Sequence, residues 1–286
     1  MTRRLALIFL ASALPACAVT PAPSASTDLS TSTGPFVASD KAALLAAVAA
    51  PSRTPANVAR DRYRHPYETL SFFGVRPSDT VVEIWPGGGW YTEILAPYLA
   101  RGGGRLLLST PDGQLGAVAK LRQAHPAIYG KVASAVFPAF DAAAARVPDA
   151  SADVVLTFRN VHNWRMGYLR DDKQDYSADA FRQIYKMLKP GGMLGIVDHR
   201  LPETASEERE RSSGYMKVST VRRLAEAAGF RLVGSSEINA NPNDSADWPN
   251  GVWTLPPSFA LKDQDRDKYV AIGESDRMTL KFVKPR

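Results

Sequence analysis

Between residues 80 and 283, short apolar runs alternate with amphipathic stretches, and this alternation limits the possible folds more than any other feature of the chain. The runs at 80–85, 105–109, 132–137, 153–158, 193–197, 230–238 and 277–283 have the length and apolar character of strands. Residues 91–100, 114–125, 178–188 and 218–228 have helical spacing instead, and Lys189-Pro190-Gly191-Gly192 and Gly229 supply stop signals. Continuous apolar strands alternating with helices predict an α/β fold. It is a doubly wound sheet of seven strands, mostly parallel, with helices on both faces. No obvious helical pattern separates the last two strands, so a terminal antiparallel strand is expected. A further helix is expected over 41–50, capped by Ser39 or Asp40 and stopped by Pro51. No repeat of solenoid length is present.

The first 39 residues have a different character. Arg3 and Arg4 precede an apolar stretch from Leu5 to Leu14, too short to span a bilayer, which needs about 20 residues. Residues 1–17 therefore read as an export signal. Leu14-Pro15-Ala16-Cys17 resembles a bacterial lipobox, which implies lipidation of Cys17 and a membrane partner through the lipid. Plain cleavage near Ala16 is the alternative. Ala18 after the cysteine resembles lipoproteins sorted to the outer membrane, so the expected location is periplasmic, in a Gram-negative bacterium. Residues 18–39 are Pro, Ser, Thr and Ala with few large apolar residues, a tether composition, which leaves 40–286 as the folded domain. The formal charge is +6, of which Arg3 and Arg4 belong to the signal. That surplus is small and dispersed, and no nucleic-acid partner is expected. Cys17 is the one cysteine, so intramolecular disulfides and cysteine-based zinc clusters are excluded.

In such a sheet, ligands bind beyond the carboxyl ends of the strands, where strand order reverses. The residues after the first strand are Glu83-Ile84-Trp85-Pro86-Gly87-Gly88-Gly89-Trp90. Consecutive glycines there let backbone approach a ligand closely. After the fourth strand comes Arg159-Asn160-Val161-His162-Asn163-Trp164, in which His162 can act as a base, Asn160 and Asn163 can orient polar atoms, and Trp164 can exclude water. His199 follows Asp198 at the end of the fifth strand, expected to lie beside the fourth, so His162 and His199 would meet across the cleft. A metal held by these histidines with Asp198 or His65 has no compact ligand spacing behind it, and no metal is expected. Arg60-Asp61-Arg62-Tyr63-Arg64 and Glu207-Glu208-Arg209-Glu210-Arg211 read as solvated helix faces, although the first could attract an anion. The connection from Asn239 to Ser275 is long and rich in Trp and Pro, and either a substrate lid or a structural flap is expected there.

Glu83 through Gly89, Asp153 through Phe158, and Leu188-Lys189-Pro190-Gly191-Gly192-Met193-Leu194 together resemble the class I S-adenosylmethionine-dependent methyltransferases. R-H-P, W-P-G-G-G-W-Y-T and F-R-N-V-H-N-W further resemble an exported bacterial group of predicted methyltransferases. The resemblance implies a Rossmann-like methyltransferase fold, S-adenosylmethionine as cofactor and an unidentified small-molecule substrate. By it, Gly87, Gly88 and Gly89 would wrap the methionine half of the cofactor, Glu83 would orient that loop, and Thr110 and Asp112 would stand near its ribose. His162, Asn160 and His199 would be the catalytic candidates. Two departures stand out: Trp85 replaces the first alternating glycine, and Ser109-Thr110 replaces the acid at the end of the second strand, with Asp112 the nearest carboxylate. The alternative they favour is a non-catalytic, membrane-tethered ligand-binding protein on the same scaffold. The absence of N-P-P-[YFW] counts against a nucleic-acid base as acceptor.

Overall fold

The computed structural model describes residues 36–286. The expected signal, the lipidation of Cys17 and the tether as far as residue 35 lie outside them. No helix among the described residues is long and apolar enough to cross a membrane.

Seven strands form one sheet: β1 (Thr80–Ile84), β2 (Arg105–Thr110), β3 (Ala133–Val136), β4 (Ala152–Phe158), β5 (Leu188–His199), β6 (Arg231–Ser236) and β7 (Arg277–Val283). Their order is β3-β2-β1-β4-β5-β7-β6. The first five are parallel, and β7 runs antiparallel between β5 and β6. Each face is covered because successive strand residues point to opposite sides. Val81, Val154 and Leu156 pack with helices α1 (Ala38–Val48), α2 (Pro66–Phe73) and α3 (Thr92–Gly102) on one face. Val82, Ile84, Val155 and Ile196 pack on the other. Their cover there includes α5 (Val161–Arg165), α6 (Ser177–Met187) and α7 (Val218–Ala227), while α4 (Val118–Ala124) belongs with the first face. The last helix, α8 (Arg266–Ile272), lies in the long connection before β7, where the sequence pattern predicts no helix.

Strand order reverses at β1 and β4, so their carboxyl ends diverge into connections on opposite faces and open a crevice between them. The antiparallel direction of β7 adds a second consequence. Its first residue, Arg277, pairs with the last residue of β5, His199, so the end of the 239–275 connection is delivered to the edge where β4 and β5 finish.

Several boundaries differ from the sequence expectations. The first helix begins at Ala38, and Asp40 stands inside its first turn, accepting the Val37 N–H at 3.2 Å. The helix expected over 114–125 is confined to 118–124, because Asp112 folds the preceding residues into a side-chain turn by accepting the Gln114 N–H. Leu188 to Gly192 is extended: Leu188 pairs with Ala152, and the Gly191 N–H donates to the Lys284 carbonyl. The acidic-basic segment at 207–211 is not simply a solvated face. Glu210 is buried and accepts from the Lys217 N–H and the Thr220 hydroxyl, with the Arg165 guanidinium 3.8 Å away.

Gly195 in β5 shows how tightly α2 is seated. A Cβ there would stand 2.7 Å from Leu156 Cδ2 and 2.9 Å from the Phe73 ring. Gly195→Ala is therefore expected to lower the unfolding free energy by about 1–3 kcal/mol through overpacking, measured by urea denaturation.

Candidate active site

Two adjacent strands end in the same uncommon way. Trp85, directly after β1, has φ +48°, and Arg159, directly after β4, has φ +64°. Non-glycine residues in this region are strained and hold only where their surroundings fix them. Hydrogen bonds supply that constraint. The Trp85 N–H donates to Ser109 O at 2.8 Å and the Arg159 N–H to Val197 O at 2.7 Å, so each residue extends the ladder of its sheet neighbour before turning away. Asn160 then ties the two ends together. Its amide nitrogen is within 2.9 Å of Ile84 O and 3.1 Å of Thr157 Oγ1. The amide expected to orient substrate is thus occupied as a brace between β4 and β1.

Beyond β1 the loop of glycines is open on its outer side. An added Cβ at Gly87 or Gly88 would meet nothing within 4 Å, while one at Gly89 would stand 3.2 Å from Val118. Gly87 and Gly89 have φ +57° and +83°, so glycine is needed at both, whereas Gly88 lies outside that region. Glu83 faces inward, is buried, and accepts the Thr92 hydroxyl at 2.6 Å, which fixes the start of α3 after the loop. Thr110 and Asp112 meet at the end of β2: the Thr110 hydroxyl is 3.1 Å from Asp112 Oδ1. The backbone N–H of Gln114 holds the exposed Asp112 carboxyl below its ordinary range. An acid therefore stands just past β2, two residues beyond Thr110, whereas the resemblance places it at the strand end. The Trp85 indole N–H donates to Phe137 O at 2.8 Å. Phe137 follows β3, so the ring crosses the front of β2, with Trp164 edge-on and Tyr168 on its flank. Trp164 itself is fully buried among Phe137 and Phe181, in the core and not at the crevice mouth where it was expected to exclude water.

His162 and His199 do meet, with ring centroids 5.0 Å apart. Asp198, fully buried, organises both. Its Oδ1 lies 2.9 Å from His162 Nδ1 and accepts the His199 N–H at 2.8 Å, and its Oδ2 accepts the His162 N–H at 3.1 Å. With Asp198 Oδ1 accepting from an Nδ1–H, the His162 Nε2 is left as the acceptor. His199 Nδ1 meets the Ser275 hydroxyl, and burial, with the neighbouring His162 and Arg159, keeps this imidazole neutral. His162, Asp198 and His199 present ligand atoms within 4.8 Å of one another, but every Asp198 contact given above is already an N–H donor. His65, at the left-handed start of α2, is not among the residues whose ligand atoms meet there.

Arginines surround the histidines on the side of β7. Arg60, Arg64 and Arg277 converge on Glu274 at 2.7, 3.0 and 3.2 Å. Glu274 is buried, yet the three guanidinium groups hold its carboxyl at about 2. Arg64 is buried over the face of Trp90, so the segment expected as a solvated helix face turns partly inward. Tyr91 stacks on Phe158 at 3.5 Å, joining the end of the glycine loop to the strand that carries Arg159. The sequence singled out neither Glu274 nor Arg277; their role comes from the antiparallel return of β7.

The loop acid has a measurable signature. Burial pushes Glu83 from its ordinary 4.5 to about 7, with the Thr92 bond opposing. An acid whose folded value is raised contributes stability that is complete below its unfolded value and is lost as pH rises through its folded value. Glu83→Gln is expected to remove a fall of about 3 kcal/mol in unfolding free energy across that window, seen as a flatter stability profile from pH 4 to 8 than the wild type gives.

Residues 82–196 match the family model described as Methyltransferase domain. No curated protein matches the sequence closely enough to count as a relative. Among solved structures, the chain is similar to a SAM-dependent methyltransferase from Aquifex aeolicus, at 15% identity and TM-score 0.50, covering 79% of this chain and 93% of that one. It is also similar to the cyclase SpnF, at 17% identity and TM-score 0.54, covering 85% and 91%. The protein is therefore built on the Rossmann-like fold of the class I methyltransferases, and its residues 82–196 are similar to their methyltransferase domain.

Proposed function

We propose that the protein is an S-adenosylmethionine-dependent methyltransferase acting on a small molecule in the crevice between β1 and β4. The observation that carries this reading is the open glycine loop after β1, braced by Asn160 to the strand that leads into His162. The residues at the front of the sheet fit the cofactor. Gly87 and Gly88 leave free space for the methionine half, the Glu83–Thr92 bond fixes the loop, and the charged Asp112 carboxylate stands near β2, where ribose hydroxyls would need an acceptor. The Trp85 indole forms a wall of this crevice in place of the open space that a glycine leaves.

When bound, S-adenosylmethionine supplies a methyl group on a sulfonium sulfur. The chain's own contribution is to orient the acceptor, exclude water and take a proton. Asp198 directs the His162 Nδ1 proton inward, so that Nε2 accepts the proton released by the acceptor. Trp253, 6.2 Å from His162 and edge-on to it, covers this side of the crevice with Pro256 and Pro257. That placement supports a lid role for the 239–275 connection.

Gly88 offers a clean test. A Cβ there would meet nothing within 4 Å and the backbone lies outside the left-handed region, so Gly88→Val is expected to leave the melting temperature unchanged. The same side chain would enter the ligand space. Calorimetry is expected to give micromolar binding of S-adenosylmethionine and S-adenosylhomocysteine to the wild type, weakened at least tenfold in Gly88→Val. Silence of the wild type with both compounds would contradict the proposal and favour a binding protein on the same scaffold.

Export and lipid anchoring at Cys17 are part of the same proposal and rest on the sequence pattern at Leu14–Cys17. Full-length protein made in a Gram-negative host is expected to partition into detergent, and Cys17→Ser to move to the aqueous phase. A Cys17→Ser variant that stays with the detergent would contradict the anchor.

A further inference from the structure

Beside the histidines lies a cavity of about 190 Å³, lined by Arg159, His162, Asn163, His199, Trp253 and Pro257 among others. Three of its properties concern charge. The Arg159 guanidinium makes no hydrogen bond or ion pair with any described residue, although the backbone that carries it is held in a strained conformation. The nearest carboxylate of the arginine cluster, Glu274, is already engaged by Arg60, Arg64 and Arg277. Asp198, the other buried acid, is engaged by N–H donors of His162 and His199. Four guanidinium groups therefore stand against two buried carboxylates, both already engaged by other donors, and the unpaired guanidinium faces the cavity.

Such an excess is costly unless something negative offsets it. Burial pulls Arg159 down to about 10, Glu274 and Asp198 oppose this while Arg277 and Arg60 add to it, and the group stays charged at neutral pH. The histidine cluster could be read as a cation site, since its ligand atoms lie close together. The four guanidinium groups oppose a cation there, and the Asp198 oxygens are spent on donors.

We propose that this cavity binds an oxyanion group, carboxylate or phosphate, carried by the methyl acceptor, with Arg159 as its principal ligand. A planar guanidinium matches either group with two parallel N–H bonds. With the Ser275 hydroxyl donating to Nδ1, His199 presents Nε2–H as a further donor, and its neutral state suits that role. His162 Nε2 remains the proton acceptor at the adjoining wall. The anion would thus fix the acceptor next to the base, and the closing segment at Trp253–Ser258 would cover it. The word acceptor rests on the function proposed above. The binding of the anion does not, and it is measured without the methyl donor.

The test uses the purified full chain and inorganic phosphate or acetate as probes, at constant ionic strength set with sodium chloride. Each probe is titrated while the melting temperature is followed. The expected result is a saturable rise with at least one anion. Saturation by phosphate alone assigns a phosphate group, by acetate alone a carboxylate, and by both an oxyanion in general. Arg159→Gln is expected to weaken the apparent affinity at least tenfold, Arg159→Lys to restore part of it, and Arg170→Gln, on an exposed pair with Asp172, to leave it unchanged. Without anion, Arg159→Gln is expected to melt about 2–4 °C higher than wild type, because it removes like-charge repulsion and no protein hydrogen bond. An adventitious ion only, meaning no saturation beyond the sodium chloride control or equal affinity in Arg159→Gln, would overturn the proposal. A lower melting temperature for Arg159→Gln without anion would also overturn it, since the guanidinium would then be a structural strut.

Discussion

The reversal of strand order at β1 and β4 is the constraint on which the rest of the molecule depends. Parallel strands all finish at one edge, and the two central ones send their chains to opposite faces, so a crevice exists before any side chain is chosen. This protein adds a hydrogen-bonded lock at that point. Asn160 reaches from the end of β4 to the Ile84 carbonyl, and the left-handed residues Trp85 and Arg159 leave their strands on either side of it. The glycine loop and the histidine segment are held relative to one another by backbone and amide contacts, which is the rigidity that positioning chemistry requires.

Charge is distributed unevenly about this lock. On the β2 side the groups are a buried Glu83, whose carboxyl burial raises to about 7, and an exposed Asp112. On the β7 side are arginines grouped around Glu274, together with two buried histidines organised by Asp198. The antiparallel β7 produces this arrangement, since it returns Glu274, Ser275 and Arg277 to the carboxyl ends of parallel strands. One edge of one sheet thus offers an open backbone cradle and a strongly basic wall, two surfaces suited to different parts of a reaction.

Much of this was legible in the residues, for identifiable reasons. The apolar strands and their spacing carry the sheet, and adjacency of the fourth and fifth strands places His162 beside His199. Glycines between a strand and a helix mark the open loop. Other features have no local signature. Nothing near Trp85 or Arg159 marks a left-handed backbone, which arises from pairing with Ser109 and Val197. Asn160 resembles a substrate ligand until Ile84 is seen beneath it. Arg64 and Glu274 are 210 residues apart in the chain, so a charged segment that reads as solvated is partly buried by a partner that local pattern does not reveal. Leu188 to Gly192 looks like a stop signal, and it is one for the helix, yet the chain continues at once as strand because Lys284 and Ala152 receive its backbone.

The central claim is that an adenosyl cofactor lies against Gly87 and Gly88, with the Trp85 ring beside it as a wall. The most direct measurement is a crystal structure of the protein grown with S-adenosylhomocysteine. The account predicts density for the amino-acid half along the glycine loop, and ribose hydroxyls within hydrogen-bond distance of Asp112. Density for the indole alone across the front of β2, with the nucleoside absent or bound elsewhere on the molecule, would contradict it.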